Sequence, residues 1–86
     1  MLGVCMPAQA VVLVNTDVGK ENDIFNKLIE FPEVKEVYMV YGIYDIIVIV
    51  EASTMDDLRT LITERIRKLD GVKTTLTSIV VMHRKK

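Results

Sequence analysis

Two short segments of this 86-residue chain hold the side chains best suited to grip a small molecule. The first, Tyr41-Gly42-Ile43-Tyr44-Asp45, sets two phenols and a carboxylate around one glycine. A glycine lets a ligand approach backbone N–H and C=O groups closely, and Asp45 can pair with an ammonium. The combination suits a small zwitterion. Its plainer reading is that Gly42 makes a turn and Asp45 caps it. The second segment is Thr74-Thr75-Leu76-Thr77-Ser78. In an extended chain Thr75 and Thr77 share one face, and Thr74 and Ser78 share one too. Such a hydroxyl ladder can receive a carboxylate or an amide at a subunit boundary. Strand propensity and a solvated face also account for it.

Other chemistries lack their parts. Nucleophilic catalysis needs a base beside a Ser or Cys, and the single histidine, His83, stands close to the C-terminal end. Gly19-Lys20 lacks the preceding glycine and the Ser or Thr of a phosphate-binding loop. One Cys and one His, distant in sequence, match no standard metal spacing, so neither a metal nor a cofactor is expected. Cys5 excludes an internal disulfide, fits a reducing cytoplasm, and reads as a small apolar residue. A net charge of −1 and a pI near 5.7 argue against a nucleic-acid surface. The basic end His83-Arg84-Lys85-Lys86 reads as a solubilising tail.

Six elements would position the two segments. Residues 8–15 form a β-branched strand ended by Asn15-Thr16-Asp17, and Gly19 turns the chain. Residues 20–30 form a helix with Ile24, Leu28 and Phe31 on one face, widened by Phe25 and Ile29, and stopped at Phe31-Pro32. Strands follow at 34–41 and 46–51, joined through Gly42 as a hairpin. A second helix starts at a Ser53 cap and runs to about residue 68, burying Leu58, Leu61, Ile62, Ile66 and Leu69. Gly71 ends it with a left-handed cap, and residues 72–82 form the last strand.

The order β-α-β-β-α-β predicts an α+β, ferredoxin-like split β-α-β domain. Both helices would lie on one face of a four-stranded antiparallel sheet. Residues 1–7 are then a short extension, 8–82 the domain and 83–86 the tail. Half of the residues are hydrophobic and mean hydropathy is +0.29, more than so small a domain can bury alone. The longest apolar run, Ile46 to Val50, falls far short of the roughly 20 residues of a spanning helix, so no membrane partner is expected. Nor does the apolar N-terminal stretch have the basic start and cleavage site of a signal peptide. That run is apolar on both faces, although the helices cover only one. The surplus predicts a homo-oligomer whose sheets pack face to face, a dimeric α+β barrel.

With these parts placed, the chain resembles the ligand-binding (RAM) domain of the Lrp/AsnC regulators over residues 10–82. The resemblance is carried by Val11 to Thr16 with Gly19, Leu28 with Phe31-Pro32-Glu33-Val34, Gly42 with Tyr44-Asp45, the helix from Leu58 to Arg67, and Gly71-Val72 with Thr75 and Thr77. It implies sheet-paired dimers, rings of dimers, and an amino-acid effector bound between dimers near the Gly-x-Tyr-Asp turn. Tyr41, Gly42, Tyr44, Asp45, Thr75 and Thr77 are then the candidate ligand residues. No helix-turn-helix fits before the first strand, so the chain resembles the stand-alone form. Such a module would be cytoplasmic, non-enzymatic and without direct DNA binding, acting on transcription by co-assembly with a full-length Lrp/AsnC-type regulator. The alternative is a small dimeric α+β barrel enzyme of monooxygenase or isomerase type. It would need a His, Asp or Arg cluster inside a closed barrel, with Asp45 and His83 in one deep pocket.

The purified chain alone should give no operator-specific retardation of DNA, since its charge is near zero and it shows no recognition helix. Nanomolar, sequence-specific shifts without a partner would overturn that reading.

Overall fold

The computed structural model describes residues 7–86; Cys5 and most of the N-terminal extension lie outside the described residues. Strands β1 (Ala8–Thr16), β2 (Val34–Met39), β3 (Ile46–Ala52) and β4 (Val72–Ile79) alternate with helices α1 (Glu21–Leu28) and α2, which starts at Met55. The sheet is antiparallel with order β2-β3-β1-β4. The expected fold is therefore present, with β1 and β3 central and β2 and β4 at the edges.

Period-two alternation in the central strands sets the two faces. Val12 pairs with Val48 and Val14 with Ile46, and all four are fully buried under the helices. Ile24 and Leu28 of α1 and Leu58 and Ile66 of the second helix close the core from above, each with no accessible surface. The other face carries Val11, Leu13, Ile47 and Ile49, half-buried, with Leu76 exposed on β4. Among the described residues, no helix covers that face. Its polar rim is tied internally: Gln9 Nε2 donates to Glu51 Oε2 at 2.7 Å, and Asn15 Nδ2 to Thr74 Oγ1 at 3.2 Å.

Several element ends differ from the sequence reading for local reasons. Thr54, not Ser53, caps α2: its Oγ1 accepts from the Asp57 N–H at 3.1 Å while its backbone is extended. Both residues have an acid three positions on, so spacing alone could not choose between them. Ile29 does not widen the buried stripe of α1, because the helix ends at Leu28 and Ile29 points outward. β4 stops at Ile79, its last pairing with β1, rather than at residue 82.

The second helix is α-helical only through Thr60 and continues as a π-helical stretch, Leu61–Ile66. The Arg67 N–H reaches back five residues to the Ile62 carbonyl at 3.0 Å. Thr63 supplies a cause: its hydroxyl donates to the Arg59 carbonyl at 2.7 Å, the acceptor that an α-helix gives to the Thr63 N–H. The widened turn still buries Leu61, Ile62 and Ile66. Gly71 ends the segment at φ +97°, where a Cβ would come within 2.9 Å of the Lys20 side chain and 3.1 Å of Ile24 Cδ1.

Neighbouring residues of β3 should therefore respond unequally to the same change. Val48→Asp places an unpaired carboxylate in the core and should cost about 4 kcal/mol or more. Ile49→Asp projects from the open face and should cost roughly 1 kcal/mol in the single chain. Helical circular dichroism during urea titration separates them, and equal losses would contradict this assignment of faces.

Candidate functional site

The loop between β2 and β3 is closed by the Val40 N–H, which donates to the Asp45 carbonyl at 2.9 Å. Within it, Tyr41 and Ile43 stand fully in solvent, while Tyr44 and Asp45 are partly buried. Two apolar side chains so exposed at a loop tip are not packed against any of the described residues. Gly42 is not in the left-handed region, and a Cβ built on it would meet only the Tyr44 carbonyl, at 4.0 Å. The turn itself does not require glycine. What glycine leaves at this position is open access to the backbone from outside.

Asp45 has a structural task. Its Oδ2 accepts from the Thr16 N–H at 2.9 Å and from the Thr16 hydroxyl at 3.2 Å, while its own N–H donates to the Val14 carbonyl at 3.0 Å. These bonds fasten the start of β3 to the end of β1 and satisfy donors of the buried Thr16. The capping role expected as the plainer reading is thus present, toward Thr16 rather than within the loop.

Thr75 and Thr77 are elsewhere. They pair with Val14 and Val12, so they face the helix side of the sheet. There they line a groove of about 380 Å³ with Arg59, Ile62, Thr63 and Arg67 of the second helix. One chain therefore does not bring the threonines and the Tyr41–Asp45 loop into one cavity. Arg59 and Arg67 escaped the sequence reading, which singled out only the buried stripe of this helix. Helical spacing from Leu58 and Ile66 does put them outward, but it cannot show that the edge strand runs alongside.

A third region lies at the opposite end of the sheet from the loop. A cavity of about 440 Å³ is lined by Glu33, Lys35, Glu51, Asp57 and Arg65, among others. The Arg65 guanidinium sits 4.5 Å from the Phe31 ring centroid and 3.6 Å from Glu33 Oε1. On the open sheet face, the Tyr38 hydroxyl donates to Glu36 Oε1 at 2.9 Å. That bond and the adjoining charge raise the phenol's pKa above its ordinary value. Neither Asp45 nor His83 lines any of the three cavities. Among the described residues, no cluster of three metal-ligating side chains occurs, and no helix is long and apolar enough to cross a membrane.

Because Asp45 holds Thr16, its removal should cost stability without any ligand. Asp45→Ala should lose about 1–3 kcal/mol, and Asp45→Asn, which keeps one acceptor oxygen, distinctly less. Urea denaturation measures both. An Asp45→Ala variant as stable as the parent would remove the Thr16 bond from this account.

Comparison with known proteins places this geometry. The family model described as the Lrp/AsnC ligand binding domain matches residues 9–86. The HTH-type transcriptional regulator FL11 of Pyrococcus furiosus is 31% identical over 72 residues, which make up 84% of this chain and 47% of that protein. The chain thus spans about half the length of the regulators it matches. A homocitrate synthase of Sulfurisphaera tokodaii is 45% identical over 58 residues, 67% of this chain but 12% of that enzyme. The crystal structure of FFRP-DM1 superposes with a TM-score of 0.84 at 47% identity, covering 86% of this chain and 99% of that one. The transcriptional regulator NMB0573 of Neisseria meningitidis, solved as an L-Met complex, shares the fold with a TM-score of 0.83. It is 20% identical, and the match covers all of this chain (100%) and 59% of that one. The match over nearly the whole sequence, on the expected sheet and helices, makes this chain a member of the Lrp/AsnC ligand binding domain family.

Proposed function

We propose that this chain is an amino-acid effector-binding and oligomerisation module that modulates transcription regulators of amino-acid metabolism by co-assembling with them. The observation that carries the reading is the exposed Tyr41–Asp45 loop, with its backbone accessible at Gly42, on a domain of a ligand-binding family. An amino acid presents a carboxylate that seeks N–H or hydroxyl donors and an ammonium that seeks carbonyl or carboxylate oxygens. The Gly42 backbone, the free oxygen of Asp45 and the phenols of Tyr41 and Tyr44 supply both kinds. Thr75 and Thr77 would join from a second copy, because one chain keeps them in a separate groove.

The open sheet face supports assembly. Val11, Leu13, Ile47 and Ile49 each forgo part of the 1.5–3 kcal/mol or so that full burial of a large aliphatic side chain contributes. A second copy laid on this face would bury them, with the bonded Gln9–Glu51 and Asn15–Thr74 pairs at its rim. Rings of such dimers would then bring loops of different copies together. The L-Met complex of the Neisseria regulator supports an amino acid as the ligand class. The regulators among the relatives support a non-enzymatic role in the cytoplasm, with DNA contacted through a full-length partner. The match to a small part of homocitrate synthase fits a module that serves other machinery besides DNA-binding proteins.

Light scattering should give a dimer or a larger multiple, and Ile49→Asp should shift it toward the monomer. In calorimetry across the proteinogenic amino acids, at least one should bind. Gly42→Val should abolish that binding while the oligomer survives, since a Cβ at Gly42 meets nothing nearer than the Tyr44 carbonyl, at 4.0 Å. An unchanged affinity in Gly42→Val would remove the loop from the site.

A further inference from the structure

The open sheet face is apolar at its centre but acidic at one corner. We infer that the basic segment 83–86 of a second copy docks on that corner and neutralises it. The contact presupposes the face-to-face assembly proposed above. By register Glu36 of β2 lies opposite Ile49, and Glu51 of β3 lies opposite Gln9, so both carboxylates belong to the open face. The Tyr38 hydroxyl donates to the first and the Gln9 amide to the second. Among the described residues neither carboxylate makes an ion pair, and no paired position of that face holds a lysine or arginine. Lys35, in the bulge of β2, lines the cavity at the sheet end, and Lys73 lines a recess beside Arg67.

Packing two faces together removes their water. Each copy then brings two carboxylates into the joint, and a charge taken out of water without a counter-ion costs more than one neutral donor offsets. The cations stand at the same end of the sheet. The Val80 N–H donates to the Gln9 carbonyl at 2.9 Å, so the chain leaves β4 on the rung that carries Glu51. Beyond it Val81 and Met82 are exposed, and Arg84, Lys85 and Lys86 stand in solvent without an ion pair among the described residues. Six extended residues span about 20 Å, against the roughly 14 Å between the outer strands of a four-stranded sheet. In a lone copy these ions stay hydrated and gain little from one another. A two-fold axis along the strands, between the faces, lays the β4 corner of each copy over the β2–β3 corner of the other. Both contacts then form together, because a two-fold interface is self-complementary. An axis across the strands would instead bring each basic segment toward the other copy's Lys73, which like charge disfavours.

Carbodiimide joins a carboxylate to an amine in contact with it, and an equal mixture of unlabelled and isotope-labelled full chains shows which copy each comes from. Mass spectrometry should find Lys85 or Lys86 linked to Glu36 or Glu51, in products that mix the two isotopes. In sedimentation at low salt, Arg84→Gln with Lys85→Gln and Lys86→Gln should raise the dimer dissociation constant about tenfold, since several modest pairs are doubled by symmetry. High salt should remove the difference. The same three changes should have no effect when Glu36→Gln and Glu51→Gln are already present. Each of those glutamines keeps an acceptor oxygen for Tyr38 or Gln9, so helix content should hold. A dimer whose links stay within one copy or avoid these residues, or whose dissociation ignores the three changes, would overturn this contact and leave the assembly standing. A chain that remains monomeric would overturn both.

Discussion

The constraint on which the rest of the structure depends is that β1 and β3, the central strands, are apolar on both faces while the helices cover only one. Val12, Val14, Ile46 and Val48 meet across the ladder and vanish beneath α1 and the second helix. The alternate residues Val11, Leu13, Ile47 and Ile49 must project the other way, because a strand has a period of two. A one-residue slip would exchange two apolar faces, so the pattern of the central pair alone does not pin the register. The rim residues do: Gln9 meets Glu51, Asn15 meets Thr74, and Asp45 receives Thr16. Slippage would strand these polar groups against aliphatic neighbours.

Two helices are too few to span four strands. The second helix lies over the centre and leaves the edge strand β4 with an uncovered inner side, and this sets the groove at Thr75 and Thr77. The π-helical stretch belongs to the same region, since Ile62 and Thr63 lie in it and Arg67 makes its closing bond. By widening the helix there, Thr63 shifts the residues that follow relative to an ideal 3.6-residue turn. Packing of Ile62 and Ile66 into the core then fixes Arg67 beside β4. A backbone irregularity, an incomplete layer and a pair of guanidiniums thus meet at one place.

The Tyr41–Asp45 loop shows how one residue can serve support while its neighbours remain free. Asp45 is committed to Thr16, which anchors the loop base between the two central strands. Tyr41 and Ile43, at the tip, stand in solvent, unpacked by the described residues. A rigid base under an open tip suits recognition, because little ordering entropy is lost when a partner or ligand arrives.

The element order, the sheet, the buried helix stripe of Leu58, Leu61, Ile62 and Ile66, the turn at Gly19 and the left-handed glycine at 71 were all legible in the sequence. Each follows from periodicity or from the backbone demands of a single residue, and such local signals survive folding unchanged. The family was legible too, because its loop and threonine residues keep their order along the chain. The choice of Thr54 over Ser53 as cap and the change to π-helix at Leu61 were not, since each turns on one hydrogen bond between near-equal alternatives. Nor could the sequence show Asp45 bound to Thr16, 29 positions away, or Arg59 and Arg67 set beside Thr75 and Thr77. Those contacts arise only when the sheet order places β3 and β4 on either side of β1 and the helix settles across them. Side chains distant in sequence meet through that packing, and no spacing along the chain records it.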